Sequence, residues 1–155
     1  MPSGRSKERE KEEPGPTPLI GALLRLPHEV VMARMHAALE GAGFDLSQTE
    51  LGVFLFPGPD GRRPSDLARQ SAMSRQAMNY VLSGLEERRY LQRHDAEAPN
   101  GRVVRVSERG RRVIRVIRAE VEEIERQWAM QLGAQRFGEL RATLQDLATG
   151  LGKLG

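Results

Sequence analysis

The 155-residue sequence predicts a mainly α fold carrying one two-stranded β-hairpin. Three observations lead there. Apolar residues recur at three- and four-residue spacing through most of the chain, the period of an amphipathic helix. One stretch alone, residues 90–106, reads as two short strands around a turn. Clusters of proline and glycine fall between the periodic segments and divide them into helices of ordinary length.

Residues 1–16 mix Ser, Gly and Pro with interleaved charge, so a disordered charged tail is expected there, followed by one protomer over residues 17–155. A first helix is expected over about residues 18–40, with Leu19, Ile20, Leu23, Leu24, Leu26, Val30, Val31, Met35 and Leu39 as its apolar positions. Pro27 should kink it or mark its true start, and Gly41-Ala42-Gly43 should end it. Ser47 with Glu50 three residues on makes a capping box for a second helix. That helix should run to about Phe56, where Pro57-Gly58-Pro59-Asp60-Gly61 stops it. A third helix is expected from an N-cap at Ser65, with Asp66 favouring the positive helix end and Leu67 and Ala68 facing inward.

A turn at Ser71–Met73 follows, with Met73 as a buried plug. Ser74 then caps a fourth helix whose stripe is Ala77, Met78, Val81, Leu82 and Leu85. Tyr90–His94 and Val103–Val106 are the expected strands, and Pro99-Asn100-Gly101 is the turn between them. Ser107 opens a long helix to about Leu132, with Val113, Ile114, Ile117, Val121, Ile124 and Trp128 on one face. Gly133 breaks it, and a last helix covers about Gln135–Leu151 with Phe137, Leu140, Leu144, Leu147 and Leu151 in a stripe. The stripes of the terminal helices are wider than one small domain can bury, which points to a partner chain.

Helix, tight turn, helix and hairpin, in that order, make a winged helix-turn-helix, here over about residues 46–106. The fourth helix would be the one laid in a DNA major groove. Its polar face carries Arg75, Gln76, Asn79, Tyr80 and Ser83: Arg suits guanine, Gln and Asn suit adenine, and Tyr or Ser can donate to phosphate. Ser65 and Ser74, at the helix starts, and Arg102, beside the wing tip, complete the candidate DNA-binding set. Solvent also demands polar helix faces, and a lone arginine beside a turn is commonly a surface residue. The charge distribution favours the DNA reading. Residues 60–112 hold 12 Lys and Arg against 7 Asp and Glu, while residues 17–59 hold 2 against 4 and residues 113–155 hold 6 against 6.

The ordered set of motifs resembles the MarR family of transcriptional regulators. The matching stretches are Leu23-Leu24-Arg25, Leu46-Ser47-Gln48-Thr49-Glu50-Leu51, Ser65-Asp66-Leu67-Ala68, Met73-Ser74-Arg75-Gln76-Ala77-Met78, Leu85–Leu91 and Val104–Gly110, spread over about residues 18–150. The resemblance implies a homodimer built on helices at about residues 18–40 and 107–151, binding pseudo-palindromic double-stranded DNA. It further implies a repressor released by a small phenolic or other aromatic ligand held between the dimerisation and DNA-binding parts. His28, Met32, His36, Phe54 and Arg115 are candidate walls of that site by residue type. In place of the family's usual Asp-x-Arg near the wing tip, this chain reads Ala98-Pro99-Asn100-Gly101-Arg102.

Other chemistries find little support. With no cysteine there are no disulfides or thiolate metal sites, as fits a cytoplasmic protein. His28 and His36 are eight apart and fall on a similar side of the first helix, but with His94 as the one other histidine they fall short of the three or four close ligands a metal site needs. No serine sits in a nucleophile-elbow setting, and Gly58-Pro59-Asp60-Gly61 lacks the Lys-Ser/Thr of a phosphate loop, so no enzyme, catalytic residue or cofactor is expected. No apolar run approaches membrane-spanning length, and no apolar signal core opens the sequence. The first rival reading is a winged-helix protein-interaction module whose basic face is incidental, and the second a small-molecule-binding protein or enzyme built on a helical dimer.

Overall fold

The computed structural model describes residues 17–94 and 102–152. The expectations for the tail at 1–16 and for the wing-tip turn at 95–101 lie outside the described residues. Six helices and one hairpin follow in order: α1 (Ile20–Gly41), α2 (Gln48–Phe54), α3 (Pro64–Gln70), α4 (Arg75–Glu87), β1 (Leu91–His94), β2 (Val103–Val106), α5 (Glu108–Leu132) and α6 (Ala134–Gly150).

Local signals set most boundaries. The Ser47 hydroxyl accepts from the Glu50 amide while the Glu50 carboxylate accepts from the Ser47 amide, a complete capping box. Ser74 accepts from the Ala77 amide and Ser107 from the Gly110 amide. Pro27 lies inside α1, which runs on through it as one helix. Helix α3 begins earlier than expected. Pro64 takes its first position and Arg63 is the N-cap, which leaves Ser65 in the first turn rather than at the cap. Proline has no N–H to lose at that position and its fixed φ suits it. Helix α2 ends at Phe54, two residues early, and the strand expected from Tyr90 begins at Leu91. Met73 is half-buried against the core rather than a fully buried plug.

Strands β1 and β2 pair antiparallel from Leu91↔Val106 to His94↔Val103. The free edge of β2 is met by the loop ahead of α3. The Gly61 amide donates to the Val104 carbonyl at 2.7 Å, the Val104 amide to the Arg62 carbonyl at 2.9 Å, and the Val106 amide to Asp60 Oδ1 at 2.9 Å. Gly61 has φ +72°, a conformation that suits glycine. This pairing satisfies backbone groups at the edge and brings Arg63 and Pro64 beside the root of the wing.

The core lies between α1, the helix-turn-helix and the first half of α5. Leu39, Leu51, Met78, Leu82, Leu85, Leu91, Val104 and Val113 are fully buried there. Tyr90, 1% exposed, is its largest side chain. The Phe44 and Phe54 rings stand tilted and edge-on against it, and the Arg109 guanidinium lies 4.6 Å over its face. By contrast α6 buries no residue, and Leu140, Leu144, Leu147 and Leu151 are exposed on it, as are Leu19, Ile20, Leu23, Leu24 and Leu26 around the start of α1.

Candidate nucleic-acid interface and effector cavity

Two concave sites each gather several of the residues singled out by the sequence. The first is a cleft of about 300 Å³ between the start of α3, the outer face of α4 and the wing, lined by Arg63, Pro64, Ser65, Arg75, Asn79, Arg93 and Arg102. It gathers Ser65, Arg75, Asn79 and Arg102 from three separate elements, and adds Arg63 and Arg93. Four guanidinium groups on one small concavity attract polyanions. Arg63 and Arg75 make no ion pair among the described residues, so no described carboxylate compensates their charge.

The remaining candidates lie outside the cleft, and Tyr80 and Ser83 line a separate depression with Ser47, Thr49 and Glu50 of the α2 start. Gln76 is exposed on α4, and Tyr80, 83% exposed, stands out from the same helix without a packing role. The Ser74 hydroxyl is used as the helix cap. Ser83 is half-buried and its Oγ accepts a 3.0 Å hydrogen bond from Arg93, so it serves inside the molecule more than at its surface. Arg93 is not apparent in the sequence because its partners Glu86, Ser83 and Asn79 lie on another element, across a turn. One signal would have found it. Strand alternation puts Arg93 on the same side as the buried Leu91, where a charged residue needs a partner.

The second site is a cavity of about 720 Å³ between α1, the α2–α3 connection, α5 and α6. Met32, Met35, Phe54, Leu55, Ile114, Ile117 and Val121 give it an apolar wall. His28, Arg118, Glu122, Glu125 and Arg141 supply polar groups, and Arg141 lies 3.7 Å from Glu125. His28, Met32 and Phe54 are thus brought together as expected from their residue types. His36 faces a different depression, shared with Glu29, Met32, Gln48 and Leu51. Arg115 is not part of the cavity. It points to solvent and pairs with Glu108 at 3.1 Å. Residues 114, 117, 118 and 121 share one face of α5, and position 115 lies about 100° round the helix from 114. Arg118 supplies the guanidinium instead. Among the described residues no group of three or more His, Cys, Asp or Glu could hold a metal ion, and no helix is long and apolar enough to cross a membrane.

No family model matches the sequence, and no curated protein does. Solved structures do. A MarR-family transcriptional regulator from Rhodococcus sp. RHA1 superposes with a TM-score of 0.64 at 21% identity, over 83% of this chain and 91% of that one. A Mycobacterium tuberculosis MarR-family protein, solved in complex with salicylic acid, gives 0.61 at 25% identity, over 84% and 97%. The chain has the MarR-family winged-helix fold. The S. aureus MepR–DNA complex carries the same fold, with a TM-score of 0.64 at 17% identity over 87% and 99%. In this MarR fold α3 and α4 are the helix-turn-helix, β1 and β2 the wing, and α1, α5 and α6 the helical part that brackets them.

Proposed function

We propose that this MarR-fold chain is a sequence-specific double-stranded DNA-binding transcriptional regulator that works as a homodimer on a pseudo-palindromic site. The observation that carries the reading is the cleft at the wing root, where Arg63, Arg75, Arg93 and Arg102 surround the exposed face of α4. Arg75 and Asn79 read base edges, Gln76 and Tyr80 flank them, and Arg63, Ser65 and Arg102 hold phosphates. The MepR–DNA complex, similar in fold, supports DNA as the partner.

The exposed leucines of α6 and the start of α1 support the dimer, since a second copy would cover both faces at once. Two recognition helices set about 34 Å apart then meet successive major grooves. The chain acts as a repressor, and a small aromatic ligand in the cavity walled by Met32, Phe54 and Ile117 shifts the helices out of register and releases it. The salicylic acid complex of the M. tuberculosis protein supports that ligand class.

The test is a fluorescence-anisotropy titration of the full chain against the duplex upstream of its own gene, beside a scrambled duplex, at two salt concentrations. Tight, selective and salt-sensitive binding is expected. Equal binding to both duplexes, followed by failure to enrich any fragment from the whole genome, would leave the protein-interaction reading in its place.

A further inference from the structure

Arg93 reaches from β1 across α4 with its side chain only 18% exposed. Its polar neighbours all lie on one face of that helix. Nη1 is 3.5 Å from Asn79 Oδ1, Nη2 donates to the Asn79 carbonyl at 3.2 Å and to Ser83 Oγ at 3.0 Å, and Nε lies 2.9 Å from Glu86 Oε2. The last is an ion pair too bent to count as a hydrogen bond. Positions 79, 83 and 86 stack along the helix at spacings of four and three, which is why one guanidinium meets all three.

A guanidinium has donors and no acceptor. The Asn79 amide must therefore turn its oxygen toward Arg93 and its Nδ2 group away, so the amide orientation follows from the chemistry of the partner. Asn79 is itself exposed on the cleft beside Arg75. An unconstrained asparagine reads adenine with both atoms, accepting from N6 and donating to N7. An asparagine whose oxygen is held inward offers donors alone. Guanine, with O6 and N7 both acceptors, is the purine that fits.

We propose that Arg93 is a specificity-determining positioning residue: by holding Asn79 Oδ1 it makes Asn79 a donor and selects guanine over adenine at the base pair Asn79 meets. The inference rests on the DNA-binding reading above. It also separates two arginines of one cleft, since Arg75 acts by touching DNA and Arg93 by orienting a neighbour.

Selection of bound duplexes from a randomised pool by the full chain tests it, with Asn79→Ala locating the base pair concerned. The wild type is expected to favour guanine there over adenine by roughly tenfold. Arg93→Lys keeps a donor-only partner and should keep the preference. Arg93→Gln offers an acceptor as well, so the amide can turn over, and the two purines should fall within roughly twofold of each other. A purely structural role would not distinguish Lys from Gln by base preference. An unchanged guanine preference in R93Q, or adenine at that position in the wild type, overturns the inference and leaves selective DNA binding standing. A wild type that selects no sequence overturns both. Should R93Q fail to fold, Arg93→Met decides: it removes the donors and frees the amide to turn, so purines within roughly twofold of each other support the inference, and retained guanine overturns it.

Discussion

A methyl group on Gly110 would lie 2.3 Å from the backbone carbonyl oxygen of Tyr90 and 2.8 Å from Val106 Cγ1. The first turn of α5 therefore rests directly on the backbone entering the wing. Ser107 secures the same junction, with its amide donating to the Tyr90 carbonyl at 3.1 Å and its Oγ within 2.6 Å of the Arg89 carbonyl. The obstacle is backbone on one side and a packed strand residue on the other, so no flexible side-chain end can yield. Gly110→Ala is expected to destabilise the fold by about 2–3 kcal/mol, read as a lower urea midpoint.

Tyr90 is expected to separate into two contributions. Its ring fills the space between Phe44, Phe54 and Arg109, while its hydroxyl accepts from Arg109 at 3.2 Å. Tyr90→Phe keeps the ring and should cost about 1 kcal/mol. Tyr90→Ala leaves a cavity at the centre of the core and should cost about 3–5 kcal/mol. Paired thermal and urea melts check both values, and a similar loss in the two variants would show that the hydroxyl, not the ring, matters.

Glu50 joins a helix cap to a distant helix end. One carboxylate oxygen accepts from the Ser47 amide, and the other pairs with Arg88, which also donates to the Gly84 and Asp45 carbonyls. Glu50→Gln retains a cap acceptor but removes the charge, and should cost less than Glu50→Ala. The alanine variant is expected to lose about 1–2 kcal/mol. Equal losses in the two would place the whole effect in the ion pair.

Two arginines of the cleft should behave differently on DNA. Arg75, at the first position of α4, should lose roughly 1–3 kcal/mol of specific affinity when changed to Ala, with relaxed preference at one base pair. Arg63 stands beside the wing root, off the helix face. Its Ala variant should weaken binding to all duplexes alike and lower the salt slope by about 1. Titrations across a salt series measure both quantities, and an unchanged salt slope in the Arg63 variant would remove it from the phosphate contacts.

The apolar face of α6 predicts a concentration-dependent assembly. Leu144→Asp puts a charge in the middle of that face, on a helix that has no fully buried residue. Sedimentation should show the wild type as a dimer and the variant as a monomer with its helices intact. A monomeric wild type would show that no second copy occupies this face.

Legibility in the sequence tracked distance along the chain. The Ser47, Ser74 and Ser107 caps each work through a residue three positions away, and they were readable as strings. Pro64 was missed as the start of α3 because Ser65 is the better cap by residue type, and the choice depends on where the Arg62–Val104 pairing fixes the loop. The basic character of α4 and the wing was visible in the charge count, but the membership of Arg63 and Arg93 in one cleft needed the hairpin folded back. In the cavity, His28, Met32 and Phe54 were recognised by type. Arg115 and Arg118 are the same type on one helix, and only the facing of α5 separates them.

Phe54 has cavity on one side and the Tyr90 ring on the other. A change there that suited a differently shaped ligand would also loosen the root of the wing. On the proposed ligand reading, a change of ligand shape is accommodated at least cost to the fold at positions backed by solvent, such as Arg118, or only half enclosed, such as Met32 and Leu55. The cavity thus has one wall that faces solvent and one that is shared with the core.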